Sequence, residues 1–138
     1  MTLATLFTAI VTILAVLVLF WTMLRVGGMR GKHNIQAPAT TGHPEFDRAY
    51  RVQMNTLEQF VMFLPLLWLA TALFHDLPWL PAVFGLVWVL GRIMYMNGYM
   101  SAPEKRSNGF LVSAIALAAL LILSIWGIVE TWMALNAV

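Results

Sequence analysis

The chain has 138 residues, 61% hydrophobic and only 10% charged, with a net charge of +2 and no cysteine. A mean hydropathy of +0.81 excludes a small water-soluble globule, which would leave large apolar patches in water, and makes lipid the expected solvent for most of the chain. Without cysteine there is no disulfide, thiolate nucleophile or thiolate metal site, so any sulfur chemistry must use a thiol carried in by a ligand.

Four apolar runs stand out at 3–24, 57–74, 77–99 and 110–135, each near the ~20 residues that cross a ~30 Å hydrocarbon layer. They predict an all-α integral membrane protein, a four-transmembrane-helix up-down bundle in one domain over 1–138, with helices near 2–25, 44–74, 77–100 and 102–135. The first run lacks a basic leader and a small-residue cleavage site, and reads as a retained helix rather than a secretory signal. The segment 26–43 opens with Gly27-Gly28 and carries Pro38, Thr40, Thr41 and Gly42, which predicts a long loop. Pro44 then suits a first helical position, with Glu45 and Asp47 facing the positive end of the helix dipole. A second helix from Pro44 to about Phe74 is longer than a bilayer core requires, so its first three turns project beyond the lipid.

The His75-Asp76-Leu77-Pro78 turn makes the second and third helices antiparallel. Ser101 and Glu104 have capping-box spacing, which predicts a fourth helix from about Ala102 with Arg106 in its opening turns. Arg25, Arg30, Lys32, Arg48 and Arg51 flank the first connection, and Lys105 and Arg106 lie in the third. The positive-inside tendency therefore places both connections in the cytoplasm and both termini on the opposite side. These bases beside membrane helices read as a topology signal, and nucleic acid is not an expected partner.

The segment EFDRAYRVQMNTLE, 45–58, concentrates polar residues where the second helix enters lipid, a position at which ionisable groups mark a site for something polar. At ~100° per residue, with Arg48 as zero, Arg51 falls at about −60°, Asn55 at −20° and Glu58 at −80°, while Gln53 lies off this arc at about +140°. On the third helix Arg92, Tyr95 and Tyr99 share a face at similar depth. Arg106 enters from the fourth helix and Arg30 from the first connection. The bland readings are a solvated, topology-setting face for Arg48 and Arg51, an aromatic belt for Tyr95 and Tyr99, and a structural ion pair with Glu58 for Arg92. The six tryptophans fit lipid-facing or interfacial packing, and His33, His43 and His75 show no ligand spacing, so no metal is expected.

Guanidinium groups give bidentate, charge-assisted contacts to carboxylates, Glu58 suits a ligand ammonium, and Asn55 and Gln53 suit peptide amides. A small peptide with two carboxylates and one amine matches this set. The residues alone do not single out glutathione among zwitterionic anions.

TTGHPEFDRAYRVQMNTLEQF, followed by RIMYMNGYMSAPEKR, resembles the MAPEG family of membrane proteins in eicosanoid and glutathione metabolism, in its microsomal glutathione transferase and leukotriene synthase branch. The likeness spans about Arg30 to Arg106, with Asp47 where the family's pattern has glutamate. It implies a homotrimer that binds glutathione as co-substrate between subunits near the cytoplasmic face. Arg51, Asn55, Glu58, Tyr95 and Tyr99 match glutathione contacts from one subunit, Arg30 and Gln53 match contacts from its neighbour, and Arg106 matches the catalytic arginine that stabilises the thiolate. Gln59 stands at a further glutathione-binding position where the family often places tyrosine. Gly31 replaces a second arginine of the leukotriene-forming members, which argues against leukotriene formation. The resemblance thus implies a glutathione transferase acting on hydrophobic electrophiles from membrane lipid, with lipid hydroperoxide reduction open to the same thiolate. The alternatives are a non-catalytic lipid-binding scaffold of the same family and a small four-helix exporter.

Overall fold

A computed structural model describes residues 2–137. Its helices are α1 (Leu3–His33), α2 (Pro44–Leu73), α3 (Leu80–Ser101) and α4 (Ser107–Asn136), with a 3₁₀ turn at Pro103–Arg106. All four α-helices are long and apolar enough to cross a membrane. α2 and α3 pack on each other and on both α1 and α4, so they form the middle of the bundle.

The core follows the face each helix turns inward. Val11, Ala15 and Val18 of α1, Phe63 and Leu67 of α2, Trp88 and Val89 of α3, and Ala116 and Leu120 of α4 form one buried cluster. Dispersion between closely fitted helices and hydrogen bonds across them hold such a bundle together, because lipid tails are as apolar as its core. Thr8 and Thr71 share a hydrogen bond of 2.8 Å between α1 and α2, and the Ser124 hydroxyl of α4 reaches the Leu66 carbonyl of α2 at 3.1 Å. α3 and α4 cross closely because glycine lies at their contact: a Cβ on Gly91 would sit 2.7 Å from the Ser113 backbone nitrogen, and one on Gly109 would run into the Tyr95 backbone.

The structure departs from the sequence expectations at both polar connections. α1 does not end near Arg25 but continues through Gly27-Gly28 to His33, which shortens the loop to residues 34–43. Each helical glycine costs up to ~1 kcal/mol relative to alanine, but Val26 and Met29 pack with Phe46, Ala49 and Ile35, and this burial offsets the cost. Arg30, Lys32 and His33 then occupy the last turn, where cations favour the helix dipole, and Asn34 ends the helix in the left-handed conformation (φ 52°).

At the other connection, α4 begins at Ser107 and not at Ala102. Ala102 is extended (φ −161°, ψ 139°), as a residue before proline prefers, and the next four residues wind as a 3₁₀ turn. Ser101 donates back to the Gly98 carbonyl at 2.8 Å, so the expected capping box does not form. Arg106 consequently stands immediately ahead of α4, not inside its opening turns.

Candidate functional site

The polar ends of α2, α3 and α4 enclose a cavity of about 720 Å³, within the range of small-molecule sites. Arg51, Asn55 and Glu58 of α2, Tyr95 and Tyr99 of α3, and Arg106 line it together. Met54, Ser107, Phe110 and Leu111 complete the lining; sequence reasoning did not single them out. Their signal was helical register, since Met54 lies three residues beyond Arg51 and four before Glu58, and the other three follow Arg106 along α4.

The lining divides by chemistry. Arg106 donates through Nη1 to the Tyr99 hydroxyl at 3.2 Å, and its guanidinium lies 5.2 Å from that ring's centroid. Asn55 donates to Glu58 Oε2 at 3.5 Å. Among the described residues the ion pairs all go to Glu45, so Arg51 and Arg106 face the cavity without a carboxylate partner. Met54, Phe110 and Leu111 give the same cavity an apolar wall, and Phe110 and Leu111 are also exposed on the outer surface of the bundle.

Arg92 is fully buried and does not pair with Glu58. It donates through Nη2 to Thr56 Oγ1 at 2.8 Å and Asn55 Oδ1 at 3.1 Å, and through Nη1 to Ser113 Oγ at 3.5 Å. Its guanidinium lies 4.1 Å from the Tyr95 ring centroid. It therefore ties three helices together directly behind the cavity wall.

Gln59 is not part of the lining. It is buried and accepts a hydrogen bond of 3.0 Å from Trp88 Nε1, and the Trp88 indole stacks on Phe63 at 4.0 Å. Trp88 is thus a core residue and not a lipid-facing one. Arg30 and Gln53 also lie outside this cavity: Arg30 packs over Phe46 at 4.8 Å, with Nη1 buried and unpartnered, and Gln53 is half-buried elsewhere on α2.

A second polar cluster at the same end was not legible from spacing. His33, His43 and Glu45 bring their ligand atoms within 4.8 Å of one another. The imidazole rings stack at 3.6 Å with planes 13° apart, so in this arrangement one ion cannot lie in both ring planes. His43 Nδ1 instead accepts from the Glu45 amide at 3.3 Å and caps α2, while Glu45 Oε2 is shared by Lys32 at 2.6 Å and His33 at 2.9 Å. Glu45 lies ahead of the apolar run of α2. The Lys32 hydrogen bond, and then that of His33, hold its carboxyl down at about 2. The cluster clasps the end of α1 to the start of α2.

Residues 8–126 match the MAPEG family. The chain is 44% identical over 114 residues, 83% of its length and 82% of the relative's, to an uncharacterized protein of Synechocystis. It is 38% identical to human microsomal glutathione S-transferase 2 over 80% of this chain and 74% of that one. It is 40% identical to guinea pig (Cavia porcellus) leukotriene C4 synthase over 87% and 79% respectively.

Proposed function

We propose that this chain, which belongs to the MAPEG family, is an integral-membrane glutathione transferase that ionises the glutathione thiol and delivers it to lipophilic electrophiles. The observation that carries the reading is the convergence of Arg51, Asn55, Glu58, Tyr95, Tyr99 and Arg106 on one cavity that also has an apolar wall. Similarity to microsomal glutathione S-transferase 2 and leukotriene C4 synthase supports the same class of chemistry.

Each group has a task its chemistry suits. Arg51 offers a planar pair of donors to a glutathione carboxylate, Glu58 accepts from the ammonium, and Asn55 donates to a carbonyl or carboxylate. The tyrosines supply hydroxyls and ring surface. Arg106 provides a positive charge at the start of α4, where the helix dipole also favours an anion. A free thiol titrates near about 8.5, and each unit of depression corresponds to about 1.36 kcal/mol in favour of the thiolate. The thiolate attacks an electrophilic carbon to form a C–S bond, and the electron pair leaves with the departing group or is protonated on the adduct. With a lipid hydroperoxide, attack on the distal oxygen breaks the O–O bond and releases an alcohol. The resulting sulfenic acid then condenses with a second glutathione to give the disulfide and water.

Met54, Phe110 and Leu111 give an apolar electrophile a route from lipid. Basic residues around the first and third connections support a cytoplasm-facing cavity. The position of Arg30 and Gln53 outside the cavity of their own chain supports their supply to a neighbour's site in a homotrimer. Crosslinking in nanodiscs should give a trimer; a ladder ending at the dimer would reject that assembly.

The test of the function is ultraviolet stopped-flow detection of thiolate when glutathione is mixed with purified protein, followed by conjugation of a model electrophile. A thiolate signal at neutral pH with turnover is expected. No signal and no conjugate would remove the enzyme reading and leave the lipid-binding scaffold.

A further inference from the structure

The Arg92 network determines which way the Asn55 amide faces. Arginine has only donors, so the Asn55 atom that meets Arg92 Nη2 at 3.1 Å must be the carbonyl oxygen. The Glu58 carboxylate has only acceptors, so the atom directed toward its Oε2 at 3.5 Å must be the amide nitrogen. A donor-only group on one side and an acceptor-only group on the other thus give the amide a single consistent orientation.

The neighbouring hydroxyls fix Arg92 in turn. Thr56 Oγ1 donates to the Val52 carbonyl at 2.7 Å, and Ser113 Oγ donates to the Phe110 carbonyl at 3.0 Å. With their protons committed, both oxygens act as acceptors for Arg92, at 2.8 Å and 3.5 Å. Both Nη2 protons are used, one on Thr56 and one on Asn55. The Tyr95 ring covers the guanidinium face. Arg92 is completely buried among neutral partners, and its Nε has none. A buried cation is costly to retain merely as a brace, and well-packed apolar residues of similar volume are often no less stable.

We propose that Arg92 is a positioning residue that sets specificity in this cavity: it holds the Asn55 carbonyl so that the amide nitrogen faces Glu58 and the ligand. Asn55 then presents a donor, favouring a ligand carbonyl or carboxylate and disfavouring a ligand N–H or O–H at that point. This inference rests on the proposed glutathione site, and Arg92 acts through Asn55 without touching the ligand.

The test is a double-mutant cycle of Arg92→Met and Asn55→Ala in the full chain in nanodiscs. It reads glutathione Kd by calorimetry and the bound thiol's pKa by ultraviolet titration. Arg92→Met should raise Kd about tenfold, equivalent to about 1.4 kcal/mol, with Asn55 present. In the Asn55→Ala background its effect should be under about threefold. The thiol pKa should stay within about 0.3 unit, because Arg106 sets it. Ser113→Ala, which removes a partner of Arg92 on α4 but leaves the bond to Asn55, should bind within about twofold of the parent. If Arg92→Met does not fold, Arg92→Lys replaces it in the same cycle, with an expected loss of about threefold that disappears without Asn55. Equal losses in both backgrounds, or a thiol pKa that moves while Kd does not, would overturn the proposal while leaving the glutathione site intact. Failure of the unmutated protein to bind glutathione would overturn both.

Discussion

Two charged clusters lie at the same end of the bundle and solve opposite problems. Around Glu45, charges cancel within the chain: Lys32 and His33 share one carboxylate oxygen, and His43 caps the helix on which Glu45 lies. Around the cavity they do not: Arg51 and Arg106 face open space, and Arg92 behind the wall has only neutral hydrogen-bond partners. The satisfied cluster ties α1 to α2. The other leaves donors and positive charge for an anion, and this contrast distinguishes a structural clasp from a candidate binding site at the same end of the bundle.

The contrast breaks most sharply at Arg106. Arg106→Ala should return the bound thiol toward its ordinary pKa of about 8.5 and lower kcat at neutral pH by about a hundredfold, with a smaller change in glutathione affinity. A pH–rate profile checks it: the variant should recover activity as pH rises, because bulk hydroxide then does what the guanidinium did. An unchanged profile would move the thiolate-stabilising role elsewhere in the lining.

Arg51→Ala comes next. Loss of a charge-assisted carboxylate contact should raise glutathione Kd by about tenfold or more, while the thiol pKa stays near that of the parent. Calorimetry and ultraviolet titration on the same sample separate the two arginines. Identical phenotypes for Arg51→Ala and Arg106→Ala would merge the roles assigned to them.

The cavity face of α2 was legible because a helical wheel needs only residue order: Arg51, Asn55 and Glu58 fall on one arc and meet Tyr95 and Tyr99 in the structure. Gln59 shows where that reasoning stops. It lies about 40° beyond Asn55, on a stripe with Val52 and Phe63 at about +40° and +60°. That stripe is buried, so Gln59 turns toward Trp88 and away from the cavity. The wheel gives angular order, but the boundary between cavity and core depends on which helices pack beside α2. The same limit hid the neutral partners of Arg92, which come from α2 and α4. It also hid the extension of α1 through Gly27-Gly28, which depends on packing against Phe46. His33 and His43 meet only because that extension brings α1 back beside the start of α2.

The smallest effect is expected on the clasp side of the comparison. Glu45→Gln removes the carboxylate shared by Lys32 and His33, but its bond to Lys32 is exposed and its bond to His33 only part-buried, and ion pairs open to solvent contribute little. Thermal unfolding in detergent at neutral pH should therefore shift by no more than about 2 °C, with glutathione affinity unchanged. The pH dependence has a definite sign. The folded-state carboxyl is held at about 2, below its ordinary 4.5, so its stabilising contribution is complete above 4.5 and declines as pH falls toward 2. The difference between parent and Glu45→Gln should thus be present at neutral pH and close across that acidic window. A variant that lost glutathione binding at neutral pH would instead make the clasp part of the binding site, erasing the distinction between the two clusters.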